Sequence, residues 1–289
     1  MSDALVSFII YGFAQGSIYS LLAMGFSLVY GVGGILNQAH GAFYVIATYI
    51  FYTSYLYLAQ FGLAIGIILA LIITPLVGGL IYFALIKPLK ESHVGIVIVT
   101  FAFAFFVEQF VKIAVDSIYH NMPLLIPGTF DFFGLSVDNH YLLIIGIAVL
   151  LVVLVTLFIN KSKLGKSIRA VAQDSEAASL MGINVDRILA YTLVISAFLA
   201  SVAAILYVPE DFVRPAVGWT VLLDSFAIVI LGGLGSLPGS VLGAFLISYA
   251  RSFTNYFIDP TFSALIPIVV IVVVLIVRPR GIFGKKEID

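Results

Sequence analysis

Ionisable side chains are scarce in this sequence. Asp, Glu, Lys and Arg make up 10% of 289 residues, so any one of them inside an apolar stretch is a candidate for chemistry. Glu108 and Lys112 stand four apart with the acid first, the favourable order for an ion pair on one helix face. Their chemistry would be mutual neutralisation with a snorkelling lysine, or else a proton or ion relay. Asp224 and Arg251 fall in two neighbouring apolar runs and carry the charges to neutralise each other. A third cluster is Asn37, Gln38, His40 and Gly41, just after the glycine-rich stretch Gly31-Val32-Gly33-Gly34. These polar groups either cap the start of a helix or line a solute path, because broken helices in membranes are tolerated only where they face protein or a water-filled cavity. His40 has no second histidine or carboxylate at ligand spacing, which argues against a metal site and against an intramembrane enzyme.

The elements that must position these groups are apolar. The hydrophobic fraction is 62% and mean hydropathy +1.17, whereas a soluble globular domain carries roughly 25% charged residues. The solvent this composition calls for is a bilayer, and the expected fold is an all-α polytopic membrane protein, 1–289 forming one transmembrane domain. Net charge is −1, so nothing points to nucleic acid, and there is no cysteine. The opening Met1-Ser2-Asp3-Ala4 lacks the positive n-region of a cleaved signal, so the first apolar stretch is expected to be a retained helix. Nine apolar runs follow, at about 5–30, 41–59, 62–86, 94–115, 141–159, 188–208, 220–234, 240–256 and 262–277. They predict eight or nine transmembrane helices, some short or broken. Runs 220–234 and 240–256 meet at Gly232–Gly239, too rich in breakers for one helix, so they either both span or form a re-entrant pair.

Basic residues set the expected orientation. Eleven of the fourteen lie in three segments, Lys87–His93, Asn160–Arg187 and Arg278–Asp289, and these are assigned to the cytoplasm. The connection 116–140 has Asp116, Asp131 and Asp138 with no Lys or Arg. It is assigned to the outside together with 209–219. Threading then places the N-terminus outside and the C-terminus inside. Within the outer connection, Phe130–Val137 is expected to form a small hairpin over the pore mouth.

The segment Lys161–Arg187 is polar between two apolar helices. Ser175 is a candidate cap for a short helix running through Glu176, Ala177, Ala178, Leu180 and Met181 and ending at Gly182. Its alanines keep it slim, and Leu180 and Met181 offer apolar contact to a soluble partner; an ordinary membrane-surface helix is the alternative. A faint internal echo, at an offset of 202 residues, relates Gly31-Val32-Gly33 and Gly41-Ala42-Phe43 to Gly233-Leu234-Gly235 and Gly243-Ala244-Phe245. Gly165-Lys166-Ser167 has the look of a phosphate-loop ending, but Asn160 stands where the leading glycine is needed.

Glu176-Ala177-Ala178-x-x-x-Gly182 is similar to the coupling signature of ATP-binding-cassette (ABC) importer permeases. The stretch Gly165–Tyr191, the segment Leu36-Asn37-Gln38-Ala39-His40-Gly41, residues Leu231–Gly239 and the ending Arg278–Gly284 all resemble branched-chain amino acid permeases of the LivH type. That resemblance covers nearly the whole chain. It implies a permease subunit without enzymatic activity or cofactor of its own, ATP and Mg being used by partners. Those partners would be two cytoplasmic ABC ATPase subunits that grip residues 176–182, a second related permease subunit, and an extracytoplasmic solute-binding protein that delivers a branched-chain or related small amino acid. Urea or short amides remain alternative solutes within the family. An ion-coupled secondary transporter is the alternative outside it, although such a protein would want buried carboxylates on several helices.

Overall fold

The computed structural model describes residues 2–58, 63–115, 118–132, 135–278 and 280–284, and the side chains of all of these except 2–4, 132 and 135. Asp116, the tip of the expected hairpin at Phe133 and Gly134, Pro279, Lys285, Lys286 and the short connection 60–61 lie outside the described residues.

The described residues form twelve helices and one hairpin. In order they are α1 (Ser2–Gly33), α2 (His40–Tyr57), α3 (Leu63–Ile81), α4 (His93–Ala114), β1 (Thr129–Phe132), β2 (Leu135–Asp138), α5 (Asn139–Lys161), α6 (Lys163–Gln173), α7 (Ser175–Leu180), α8 (Val185–Tyr207), α9 (Val217–Gly232), α10 (Leu237–Phe257), α11 (Pro260–Ser263) and α12 (Ile266–Val277). A π turn at Tyr82–Ile86 and a 3₁₀ turn at Lys87–Leu89 extend α3. The hairpin pairs β1 and β2 antiparallel, with Phe130 opposite Val137.

Burial sorts the helices into layers. The most apolar span, α5, is the least buried at 17%, while α8 is 72% buried. Lipid explains the inversion: hydrocarbon is as apolar as leucine, so the outermost helix must be the greasiest, and inner helices pack through small residues instead. Ala197, Ala200, Ser201, Ala203 and Ala204 of α8 are fully buried. On α1, Gly12 and Gly16 leave the hollows that receive Tyr249 and Phe245 of α10. The core cluster runs through α1, α2, α8 and α9.

Five helices are long and apolar enough to cross a membrane among the described residues: Leu5–Gly33, Leu63–Leu89, α4, α5 and α8. The pair α9 and α10, bent by 116°, supplies a sixth if taken as one span. The expected eight or nine are not reached on this measure, for local reasons. The run 41–59 becomes α2, which is rich in tyrosine, threonine and serine and is mostly buried in protein. The last run shrinks to the 12-residue α12, about 18 Å long at 1.5 Å per residue, short of the ~30 Å hydrocarbon layer.

The three basic segments gather at one end of the bundle. Lys87 Nζ lies 3.1 Å from Asp186 Oδ2. Leu28 and Val32 of α1 pack with Ile168, Val171 and Ile188 of the 160–187 region. The backbone of Ile282 and Phe283 donates to the carbonyls of Leu231 and Gly232, at 2.8 and 3.0 Å. At the opposite end, His120 and Val213 form a backbone bridge that joins the 118–140 and 209–216 connections.

Candidate functional site

Helix α2 starts deep inside the bundle. His40, its first residue, is fully buried, and its Nδ1 lies 3.1 Å from Ser196 Oγ, halfway along α8. Residues 34–39 therefore carry irregular backbone to mid-bundle, where peptide groups need partners from the protein itself. Asn37 Oδ1 accepts from Ala39 N at 3.1 Å, and Thr100 Oγ1 accepts from Gln38 N at 3.2 Å. Thr100 sits on α4, 62 residues away, and nothing local in the sequence marks it for this role. Asn37 thus binds its own backbone. Gly41 lies against Gly218 of α9, where a Cβ would come within 2.8 Å of the Gly218 carbonyl carbon.

The internal echo acquires a spatial counterpart. Gly41 packs on Gly218 and Gly243 packs on Ile228 and Gly232, so both Gly-Ala-Phe helix starts lean on α9. The two upstream breaks also meet: a Cβ on Gly31 would lie 3.0 Å from Gly235 Cα. Gly233 and Gly235 turn the chain with φ +103° and +79°, angles that side-chain-bearing residues rarely adopt.

Glu108 is 8% exposed. One carboxylate oxygen lies 2.6 Å from Lys112 Nζ and the other accepts from the indole N–H of Trp219, so the acid ties α4 to α9. Asp224 and Arg251 also meet, at 2.8 Å between Oδ2 and Nη1. The Tyr19 hydroxyl donates to the same carboxylate oxygen at 3.1 Å and accepts from Arg251, while the guanidinium sits 5.6 Å from the Tyr19 ring centre. Gln15 Nε2 donates to the Tyr19 hydroxyl at 3.0 Å. Among the described residues no three His, Cys, Asp or Glu side chains cluster to hold a metal ion.

The Asp224–Arg251 pair borders a cavity of about 490 Å³ that reaches toward the 209–216 end. Six tyrosines among the described residues line it: Tyr11, Tyr19, Tyr44, Tyr141, Tyr207 and Tyr256. Tyr11 meets Tyr141 edge-on at 4.7 Å and stacks with Tyr256 at 5.9 Å. Tyr141 donates to Glu210 Oε2 at 2.6 Å. Asn37, Gln38, His40 and Gly41 are not among the lining residues, and neither are Glu108 and Lys112. The tyrosines come from α1, α2, α5, α8 and α10. Each belongs to an otherwise apolar run, which hides the set from a linear reading.

At the other end, α6 and α7 form the polar segment. Ser162 Oγ caps α6 by accepting from Gly165 N at 2.8 Å, and Arg169 donates to the Ile159 carbonyl at the end of α5. The α7 cap is Asp174 rather than the expected Ser175. Asp174 has extended backbone, and its Oδ1 accepts from Glu176 N and Ala177 N, both at 2.9 Å. Ser175, one residue on, is already helical, so its side chain cannot reach the free N–H groups. Gly182 ends the helix at φ +83°, with Ile183 N bonded to the Ala178 carbonyl and Gly182 N to that of Ser179, the αL stop that glycine favours. Ala178 is 5% exposed and faces the body of the protein. Leu180 and Met181 are 89% and 84% exposed, and Glu176 is exposed beside them.

Comparison with known proteins bears on this arrangement. In overall shape the chain is similar to PsaBC from Streptococcus pneumoniae, solved in complex with Fab, with a TM-score of 0.55 over 96% of this chain and 94% of that one at 14% identity. In sequence it is 32% identical to the high-affinity branched-chain amino acid transport system permease protein BraD of Pseudomonas aeruginosa, across 96% of this chain and 95% of that protein. It is 29% identical to LivH of Escherichia coli over the same shares, and 28% identical to LivM of Salmonella typhimurium over 92% of this chain and 67% of that one. The family model described as branched-chain amino acid transport system / permease component matches residues 8–275. With one apolar bundle, a capped helix at its basic end and this match across nearly its full length, the chain belongs to the branched-chain amino acid transport permease family, whose members are membrane transport subunits.

Proposed function

We propose that this chain is a pore-forming permease subunit of an ABC importer and passes branched-chain or related small amino acids across the cell membrane. The observation that carries the reading is the exposed Leu180–Met181 pair on a short helix fixed by Asp174 at its start and Gly182 at its end. Bare apolar side chains on a polar, anchored helix are a docking knob for another protein. Its partners are two cytoplasmic ATPase subunits, which supply ATP, Mg and the hydrolysis, together with a second related permease and an external binding protein. The likeness to both LivH and LivM supports a paired permease. The basic end is cytoplasmic and includes the C-terminus, 160–187 being the coupling loop. The end carrying 116–140 and the N-terminus is external. This orientation is supported by the gathering of Lys87, the 160–187 segment and residues 280–284 on one side.

The test is transport by the assembled complex in proteoliposomes. Glu176→Lys and Gly182→Val are expected to abolish ATP-dependent uptake while the chain still inserts and assembles with its sister permease. Undiminished uptake by both variants, or uptake driven by an ion gradient without ATP, would refute the importer reading.

A further inference from the structure

The 490 Å³ cavity is lined by residues of this one chain. Its size falls in the range of about 300–1,000 Å³ usual for small-molecule sites. Four charged residues among those described line it, Asp211, Arg214, Asp224 and Arg251, so their formal charges cancel. A solute with net charge would bring an uncompensated charge into the cavity, but a zwitterion would not.

The deep pair has partners to spare. Asp224 is 3% exposed, and its Oδ2 takes both Arg251 and Tyr19, while its Oδ1 has no hydrogen-bond partner. Arg251 uses Nη1 for Asp224 and Tyr19, and its Nε is likewise unpartnered. Tyr44, fully buried on the cavity wall, has a hydroxyl with no partner. Buried polar groups are ordinarily satisfied, and an ion pair alone is an expensive way to join two helices in an apolar setting. One spare acceptor on Asp224 and one spare donor on Arg251 match in kind the ammonium and the carboxylate that a single α-carbon carries. The tyrosine rings supply apolar walls for a side chain and π faces for a cation. All three spare atoms are covered in this conformation, so entry of a head group requires the neighbouring side chains to shift.

We infer that this cavity is a solute site that binds the zwitterionic head of a neutral α-amino acid, with Asp224 taking the ammonium, Arg251 the carboxylate, the Tyr44 hydroxyl a further hydrogen bond to the head group and the tyrosine rings the aliphatic body. The inference rests on the importer reading and deepens it.

The experiment is equilibrium binding to the full-length chain in lipid nanodiscs. The probes are radiolabelled leucine and two competitors that each lack one charge, 3-methylbutylamine and 4-methylpentanoate. Leucine is expected to bind saturably, with each competitor at least about tenfold weaker, as loss of one charge-assisted contact implies. Asp224→Asn and Arg251→Gln are each expected to weaken leucine by a similar factor. Tyr44→Phe removes only a hydroxyl that nothing in the chain uses. It is expected to weaken leucine several-fold without lowering the thermal midpoint, a result that a purely structural role for these residues does not produce. Equal affinity for leucine and the single-charge analogues, unchanged affinity in Tyr44→Phe and Asp224→Asn, or absence of saturable binding would overturn the site. Should the assembled importer still carry leucine with ATP while the chain alone fails to bind it, the cavity assignment falls and the importer reading stands. Should binding persist while uptake proves independent of ATP, the importer reading falls and the cavity assignment stands.

Discussion

Gly41→Ala is a one-methyl change with a calculable consequence. The new Cβ would stand 2.8 Å from the carbonyl carbon of Gly218 and closer still to its oxygen, with Leu222 Cβ 3.2 Å away on the same side. Carbon–carbon contact is comfortable at about 3.5–4.0 Å, so α2 and α9 must separate by about 1 Å. The obstacle is backbone on one side and helix on the other, and no side chain can rotate away. Inserting a methylene-sized group into a filled core costs ~1–3 kcal/mol, and the rigid geometry favours the upper end. At about 2–4 °C per kcal/mol for chains of 150–250 residues, the thermal midpoint should fall by roughly 6–12 °C. The assay is thermal unfolding of the purified chain in nanodiscs, with Gly146→Ala as control. Gly146 lies on α5 with nothing within 4 Å of its would-be Cβ, so the same chemical change should leave the midpoint unchanged or slightly raised. An unshifted midpoint in Gly41→Ala, or equal shifts in both variants, would refute the claim that α2 and α9 touch backbone to backbone.

Other outcomes follow from local geometry. Asp174→Ala removes the acceptor for two amide groups of α7 and should cost about 1 kcal/mol of local helix stability. It is expected to reduce uptake and partner ATPase stimulation without moving the global melting point, and Asp174→Asn should restore most of both. Leu180→Ser with Met181→Ser takes away exposed apolar surface only, so thermal stability should stay within about 0.5 kcal/mol while co-purification of ATPase subunits is lost. Arg251→Met strands a carboxylate that is 3% exposed and should destabilise the fold by about 3–5 kcal/mol, whereas the double variant Asp224→Leu, Arg251→Met should recover much of that loss; chemical denaturation of the native chain and the two variants checks this.

The short helix α7 was legible in the sequence because a polar stretch between apolar helices has few structural excuses, and because glycine after a short helical run marks its stop. The cap slipped by one residue since Asp174 and Ser175 are both good cap formers, and only backbone geometry separates them. The Asp224–Arg251 contact could be expected from charge alone. The tyrosine cavity could not, since its wall is assembled from residues between Tyr11 and Ala264, each of which looks like an ordinary member of a greasy helix. Thr100 was hidden for a similar reason: a threonine in a transmembrane run usually bonds its own preceding turn, as this one does with Ile96, and its second duty to Gln38 is visible only in three dimensions. Five helices among the described residues, or six with the bent α9–α10 pair, qualify as spans on length and composition, so the expected eight or nine are not matched one for one; α2 falls outside that count because its tyrosines, threonines and serine suit burial in protein rather than contact with lipid.

Ala178 carries a mechanical implication. It is buried in one cluster with Ile168 and Val171 of α6, Leu28 and Val32 of α1 and Ile188 of α8, so a push on α7 passes through packed side chains to two stiff rods instead of being absorbed by slack chain. From Leu28 to Tyr11 α1 runs uninterrupted, about 26 Å at 1.5 Å per residue, and α8 ends at Tyr207. Both rods carry tyrosines of the cavity wall far from α7, and a small tilt imposed at one face of the membrane would be felt there as a change in the width of the chamber.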